Sequence, residues 1–309
     1  MHNLAGIFSL FILLLVASGC TGGNEPGSRQ SVPGAPLDTA SADSAAGAQS
    51  DSTPAAARNA GTARTVLRPD FQKFFAGQNA EGCFVLYNLN ADSSIRYNPE
   101  RCAEGFLPAS TFKIFNSLVA LETGVLADEN VVVKWDGVDR GSKEWNQDQT
   151  MRTAFQRSAV WFYQDIARRV GEKRMRYYVE REGYGNRTIG GELDKFWLSG
   201  DLRISPDQQV EFLTRLYKGE LGFSERSMKI VKDIMTMETT PEYTLRGKTG
   251  WAIPGGDSNI VWVVGYLERD RNVHIFALNF LARGKDYPVR EARMAILKGI
   301  LGELSLIRE

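Results

Sequence analysis

The pattern of apolar and polar positions divides the chain into three regions. Residues 1–19 contain an apolar run that is too short to span a bilayer comfortably and that ends in small residues, which is typical of a signal peptide. Residues 20–65 are rich in Gly, Ala, Ser, Thr and Pro and contain no aromatic residue. Such a segment buries too little apolar surface to offset its ordering entropy, so it is predicted to be a flexible linker. Residues 66–309 are predicted to form one folded domain.

Within that domain, strand-like runs lie at both ends and helical spacing dominates the middle. Strand periodicity is found in residues 83–87, 95–97, 244–251, 259–267 and 275–280. Helical spacing is found in residues 110–121, 126–237 and 289–306. This order predicts an α/β fold of the α+β kind, in which an antiparallel sheet is flanked by helices and joined to a helical subdomain.

Charge and cysteine usage exclude several function classes. Lys plus Arg and Asp plus Glu each total 37, so no net field attracts nucleic acid or anionic lipid. Cys20, Cys83 and Cys102 lack the paired spacing and neighbouring histidines of a zinc site, and we predict no metal. A hairpin turn centred near Asp92 would bring Cys83 and Cys102 close to opposite each other. In an exported protein they could form a disulfide, and the alternative is two buried free cysteines.

Histidine is the most informative absence. The chain contains only His2, in the predicted signal peptide, and His274, within a strand-like run that predicts a structural role. A Ser-His-Asp hydrolase needs an imidazole beside its nucleophile. Any nucleophilic serine here must therefore use another base.

One serine has a lysine three residues after it. Pro108-Ala-Ser-Thr-Phe-Lys precedes apolar residues at helical spacing, which predicts that Ser110 begins a helix. Residues three apart share a helix face, so the Lys113 amine is predicted to lie near the Ser110 hydroxyl. The N–H groups at a helix start suit a developing oxyanion, and the geometry favours acyl transfer. The alternative is that Ser110 is only a helix N-cap.

Further motifs follow in a fixed order. They are Ser158-Ala159-Val160, Tyr184-Gly185-Asn186, Phe196-Trp197-Leu198-Ser199-Gly200, Ile204-Ser205-Pro206 and Lys248-Thr249-Gly250. Ser-x-x-Lys, then a serine triplet, then Lys-Thr-Gly is the signature of penicillin-recognising proteins. Over about residues 71–290 the chain resembles the class D (oxacillinase-type) serine β-lactamases, which implies a β-lactamase/transpeptidase-like fold.

The resemblance implies a role for each matching residue. Ser110 would attack the β-lactam carbonyl, and Ser158 would relay a proton to the leaving nitrogen. Lys113 would be carboxylated by carbon dioxide, with the Trp197 indole N–H holding the resulting carbamate. The residues assigned to substrate binding are Val160, Tyr184, Lys248, Thr249, Gly250, Trp251 and Arg290.

Two parts of the implied site concern charge on the substrate. The backbone N–H groups of Ser110 and Trp251 would form the oxyanion hole. Arg290 would bind the substrate carboxylate, although Arg293 competes with it for this role because both lie near the start of the final helix.

The carbamate also has a physical rationale. A free lysine amine has a pKa near 10.4 and is protonated at neutral pH, so it cannot accept a proton. Burial disfavours the charged form and lowers that pKa. Phe112, Ile114, Phe115 and Trp197 predict apolar surroundings for Lys113, and a neutral amine can add carbon dioxide. Carbon dioxide or bicarbonate is the only cofactor expected.

The N-terminal segment predicts export. Ala17-Ser18-Gly19-Cys20 resembles a bacterial lipobox, which implies a lipid on Cys20 and a periplasmic or outer-membrane-anchored enzyme. The alternative is an ordinary cleaved signal with a chance cysteine.

Three functions are open at this point. The first is hydrolysis of a small-molecule β-lactam, with no nucleic acid and no obligate protein partner. The others are a penicillin-binding D-Ala-D-Ala peptidase and a non-enzymatic β-lactam sensor.

Overall fold

A seven-stranded sheet organises residues 64–308, the part of the chain that the computed structural model describes. The strands are β1 (Arg64–Leu67), β2 (Ala80–Asn88), β3 (Ser93–Tyr97), β4 (Thr236–Thr239), β5 (Thr244–Gly255), β6 (Ser258–Arg269) and β7 (Asn272–Arg283). Their order across the sheet is β1-β3-β2-β7-β6-β5-β4. The predicted signal peptide, the lipidation site at Cys20 and nearly all of the linker lie outside the described residues.

The α-helices within residues 64–308 are a first and a last helix and, between these two in sequence, the central helices. They are α1 (Gln72–Ala76), α2 (Pro99–Ala103), α3 (Lys113–Glu122), α4 (Met151–Arg157), α5 (Val160–Val170), α6 (Glu172–Arg181), α7 (Pro206–Lys218), α8 (Glu225–Ile234) and α9 (Val289–Glu303). None of these helices is both long enough and apolar enough to cross a bilayer.

The sheet is antiparallel, as predicted, except at one edge. β1 pairs with β3 in parallel, with Val66 opposite Ile95. Two chain reversals separate these strands, one through α1 and one at the β2–β3 turn, so β3 runs in the direction of β1. The sequence did not indicate β1, because its residues fall in the stretch where the linker gives way to the domain.

Alternation along the strands creates two cores. In β6, Trp262 and Val264 pack with the central helices, whereas Val261 and Val263 pack with α9. Successive side chains of a strand point to opposite faces, so the sheet is covered on both sides. The central helices form the predicted helical subdomain, although residues 123–150 contain turns and one isolated bridge, between Val133 and Gln149.

The two cysteines of the folded domain do not face each other across the hairpin. Phe84 pairs with Tyr97, so Cys83 lies near the end of the ladder, and Cys102 lies beyond it on α2. Both are buried free cysteines, which is the alternative to the predicted disulfide, and their thiols are close enough to hydrogen-bond to each other.

Candidate active site

The predicted nucleophile and base are in contact. Ser110 lies in a 3-10 turn, Ala109–Phe112, that leads directly into α3. Lys113 is the first residue of α3, and its Nζ lies 2.7 Å from the Ser110 Oγ. The predicted spacing therefore holds, but the α-helix begins at Lys113 and not at Ser110. Ser110 is half-buried, which leaves its hydroxyl open to one side.

Ala109, immediately before Ser110, has a strained backbone. It is a buried non-glycine residue with φ +48°, in the left-handed region. Its N–H donates to the Trp197 carbonyl at 3.0 Å, which ties the turn to the segment between α6 and α7. Such strain persists only where the surroundings determine the conformation, and it is common at active sites.

Lys113 is the buried amine of the site. Its side chain is 1% exposed, and its Nζ lies 5.3 Å from the centre of the Tyr163 ring on α5. Burial is the main cause that holds the pKa of Lys113 well below its usual value, and the charge of Lys248 lowers it further. The environment therefore favours the neutral amine, which is the form that can accept a proton.

The Trp197 indole provides an unused donor. Trp197 is fully buried and stacks on Phe112, with ring centroids 5.3 Å apart. Its Nε1 is buried and has no hydrogen-bond partner among the described residues. Because an unpaired buried N–H costs about 1–3 kcal/mol, its retention calls for an explanation.

Ser158 lies at the junction of two helices. It ends α4 in the left-handed region, with φ +56°, and α5 begins at Val160. Both residues are half-buried. The Phe155 ring, one turn before Ser158, lies 5.6 Å from the Lys248 Nζ, so this junction meets β5.

Lys248 is the second buried amine. Its side chain points to the helical side of β5 and is 4% exposed. Burial, followed by the charge of Arg293, lowers its pKa to about 7. Its Nζ donates to the Thr249 carbonyl at 3.2 Å.

Gly250 lets β5 approach the nucleophile turn. A Cβ at this position would lie 3.1 Å from the Pro108 carbonyl oxygen and 3.1 Å from the Thr111 methyl. Trp251 follows, and its indole donates to Asn259 at 2.8 Å. The backbone of β5 therefore passes directly beside Ser110.

Tyr184 is not at the site wall, and its predicted contact with substrate is corrected. It is 2% exposed and packs against Phe112, Phe115 and Phe212. Gly185 and Asn186 do form a turn, but the Tyr184 ring packs into the core behind α3. Burial raises the pKa of the Tyr184 hydroxyl.

The two arginines of α9 differ in environment. Arg290 is exposed in the first turn, whereas Arg293, one turn later, is half-buried. The Arg293 Nε is buried without a hydrogen-bond partner in the described part of the chain, and burial lowers the pKa of its guanidinium. The charge that acts on Lys248 is that of Arg293.

Sequence reasoning missed Tyr163 and Gln209. Tyr163 lies under the Lys113 amine, and Gln209 on α7 donates to Thr111 in the nucleophile turn. No local motif marks either residue, because each reaches the site through packing of helices distant in sequence. In residues 64–308 no cluster of His, Cys, Asp and Glu could hold a metal ion.

Comparisons with known proteins agree with one another. Residues 78–301 match the penicillin binding protein transpeptidase domain. The chain is 42% identical to the β-lactamase OXA-10 of Pseudomonas aeruginosa over 238 residues, which cover 75% of this chain and 90% of that protein.

Two solved structures have the same fold. A class D β-lactamase from Nostoc matches with a TM-score of 0.74 and 45% identity, over 77% of this chain and 99% of that one. The C-terminal domain of the Bacillus licheniformis BlaR penicillin receptor matches with a TM-score of 0.76 and 32% identity, over 80% of this chain and 99% of that one.

Proposed function

The chain belongs to the class D β-lactamases, and from this premise we propose that it hydrolyses the β-lactam amide of penicillin-type antibiotics through an acyl-enzyme on Ser110. The observation that carries the proposal is the buried Lys113 amine 2.7 Å from the Ser110 hydroxyl. A serine hydroxyl is a weak nucleophile unless a base accepts its proton, and here the amine is the group in position to do so.

Acylation uses groups from three elements. Lys113 accepts the Ser110 proton while Oγ attacks the β-lactam carbonyl. The backbone N–H groups of Ser110 and Trp251 stabilise the oxyanion. When the C–N bond of the ring breaks, Ser158 delivers its proton to the leaving nitrogen and takes the proton held by Lys113, and the substrate remains as an ester on Ser110.

The residues around Lys113 fit a carboxylated lysine. Burial lowers the pKa of the amine and so favours its neutral form, and the nearby segment carries the unpaired Trp197 Nε1–H, a donor that an added oxygen atom would satisfy. Carbon dioxide, once bound covalently to the amine, would supply an anionic base. We assign Trp197 to holding that group.

Deacylation would use the same base a second time. Lys113, in its carboxylated form, takes a proton from a water molecule that attacks the Ser110 ester. The proton returned to Ser110 Oγ regenerates the enzyme and releases the opened antibiotic. A base that serves both half-reactions explains turnover without a histidine.

Substrate recognition relies on positive charge. Penicillin-type antibiotics carry a carboxylate, and Lys248 with Thr249 lies on β5 beside the nucleophile turn. Arg290, exposed at the start of α9, can reach for that carboxylate, and Arg293 adds positive charge behind Lys248. Val160, Gly250 and Trp251 complete the walls of the site.

The similarity to the BlaR receptor domain supports a second candidate function. A receptor or a slow D-Ala-D-Ala peptidase would form the same ester on Ser110 but would retain it. Fast deacylation distinguishes a hydrolase from both.

Intact-mass spectrometry of the protein mixed with a penicillin tests the proposal. We expect an adduct that forms within seconds and disappears as the antibiotic is consumed, and no adduct with Ser110→Ala. A permanent adduct would support the receptor or peptidase instead, and no adduct with the unaltered chain would contradict an acyl-enzyme.

We also propose that the mature protein is exported and lipid-anchored at Cys20. The lipobox-like residues and the compositionally simple linker support this. Radiolabelled palmitate should be incorporated by the full chain and not by Cys20→Ala. If the protein is secreted but carries no label, the proposal of export stands and the proposal of a lipid anchor fails.

A further inference from the structure

A buried chain of hydrogen bonds lies behind the nucleophile turn. Gln209 Nε2 on α7 donates to Thr111 Oγ1 at 2.9 Å, and Thr111 Oγ1 donates to the Pro108 carbonyl at 2.7 Å. Gln209 is fully buried and Thr111 is 1% exposed. Neither side chain belongs to the groups that touch substrate in the proposed mechanism.

The direction of these bonds is fixed by chemistry. An amide nitrogen can only donate, so Thr111 Oγ1 must accept from Gln209. The single hydroxyl proton of Thr111 is then free to donate to the Pro108 oxygen. Gln209 therefore anchors the Thr111 oxygen and leaves its proton for the Pro108 carbonyl.

The turn that receives this bond needs external support. It contains Ala109 at φ +48°, a conformation that is unfavourable for a residue with a Cβ. The Ala109 N–H is held by Trp197, and the Leu107 carbonyl accepts from the Trp262 indole at 2.9 Å. The Pro108 carbonyl, directly before the strained residue, accepts from the Thr111 N–H at 3.1 Å and, over a shorter distance, from the Thr111 hydroxyl.

Thr111 is also fixed on its other side. Its methyl faces Gly250 of β5, where an added Cβ would approach it to 3.1 Å. Gln209 is equally constrained, because Ser205 and Gln208 form a capping box at the start of α7. The chain of bonds thus connects a rigid helix end to the residue next to Ser110.

We propose that Thr111 and Gln209 are positioning residues that hold the Pro108–Ser110 turn, and thereby keep the Ser110 Oγ in line with the Lys113 amine. The inference rests on the proposed acyl-enzyme. Loss of the chain would let Ala109 relax and would displace the nucleophile, which slows acylation. A misplacement of about 1 Å can cost about 100-fold in rate.

A matched pair of substitutions separates the hydroxyl from the methyl. Thr111→Val keeps the shape and removes the hydroxyl, whereas Thr111→Ser keeps the hydroxyl and removes the methyl. Thr123→Val is the control, because the Thr123 hydroxyl donates to the Val119 carbonyl at the same 2.7 Å at the other end of α3.

Stopped-flow acylation with a chromogenic cephalosporin gives the readout. We expect Thr111→Val to acylate about 10–100-fold more slowly, Thr111→Ser to remain within about threefold of the unaltered chain, and Thr123→Val to be unchanged. The bicarbonate concentration that gives half of the maximal rate should stay the same in all three, because Lys113 is intact.

Gln209→Met provides a second test if Thr111→Val folds poorly, as judged by its melting temperature. It should slow acylation in the same way, with an unchanged response to bicarbonate. Equal losses in Thr111→Val and Thr111→Ser, or full acylation rates in both Thr111→Val and Gln209→Met, would overturn the inference. If the unaltered chain forms no ester at all, the proposed function has failed instead.

Discussion

The two faces of the sheet are built from the same alternating strands but differ in what they bury. The face under α9 is packed with side chains such as Phe84, Phe280 and Ile296, which need no partner beyond apolar contact. The face under the central helices buries Lys113 and Lys248 and leaves the Trp197 indole unpaired. Burial of apolar side chains stabilises the α9 face. On the face under the central helices, the buried amines and the unpaired N–H reduce that stabilisation.

In the proposed mechanism, this difference is what prepares a base without histidine. Desolvation of an amine costs free energy in the folded state, and that cost appears as a lowered pKa. The helical side provides the desolvation through Phe112, Tyr163 and Trp197. On this face, burial that makes the amine more reactive therefore makes the fold less stable. The apolar packing of the α9 face offsets that loss of folding free energy.

Removing the unpaired donor should have the largest effect. In Trp197→Phe the ring stays in the core but the N–H that would hold the carboxylated lysine is lost. We expect deacylation to fall about 100-fold, because a hydrogen bond to a charged group contributes about 1.5–3 kcal/mol. More bicarbonate should be needed to reach half of the maximal rate in steady-state kinetics.

Trp135→Phe is the control for that substitution, because the Trp135 indole already donates to the Val138 carbonyl at 3.0 Å. Its rate should match the unaltered chain. A Trp197→Phe enzyme with normal deacylation would show that the unpaired N–H has no role in the reaction.

The second test concerns the charge of Lys248. Its pKa of about 7 means that the amine is charged below that pH and neutral above it. The KM for an anionic penicillin should therefore rise by up to about fivefold from pH 7 to pH 8, as one charged partner of the carboxylate is lost. Lys248→Arg, which stays charged, should flatten the rise. A KM that does not change with pH in the unaltered chain would contradict this.

The smallest predicted effect is on stability. Lys113→Met removes the buried amine at similar volume and should raise the free energy of unfolding by about 1 kcal/mol at pH 7 in bicarbonate-free buffer. The folded-state pKa of Lys113 lies well below its unfolded value, so as the pH falls below about 10.4 the unfolded chain takes up the proton first. The advantage of Lys113→Met should thus shrink from pH 7 to pH 9.

Ile296→Val is the matched substitution on the other face and should lower the free energy of unfolding by about 1 kcal/mol at either pH. Urea denaturation of both variants measures the expected increase and the expected decrease in the free energy of unfolding under the same conditions. Equal destabilisation by both would show that the Lys113 amine carries no desolvation cost.

Local patterns predicted the fold where periodicity is strong. The strands β5, β6 and β7 and the helix α9 follow from apolar alternation and spacing, and the structure confirms them with ends shifted by a few residues. β1 was missed, because a short exposed strand has no buried face and leaves no pattern. Its parallel pairing depends on chain connections that spacing does not encode.

The candidate site was likewise predicted only where the contact is local in sequence. The contact of Ser110 with Lys113 follows from a three-residue spacing that is the same in a 3-10 turn and in an α-helix. Tyr184 was misplaced, because a Tyr-Gly-Asn turn does not indicate which way its aromatic ring packs. Gln209 was invisible, since its contact with Thr111 joins residues 98 positions apart.

The central claim is that the Lys113 amine stays uncharged and captures carbon dioxide, and carbon-13 NMR tests it most directly. The protein is equilibrated with carbon-13 bicarbonate near neutral pH, with Lys113→Ala as the reference. We predict a carbamate carbonyl resonance in the unaltered chain that is absent from Lys113→Ala and disappears on acidification. An active enzyme that shows no such resonance at saturating bicarbonate would contradict the claim.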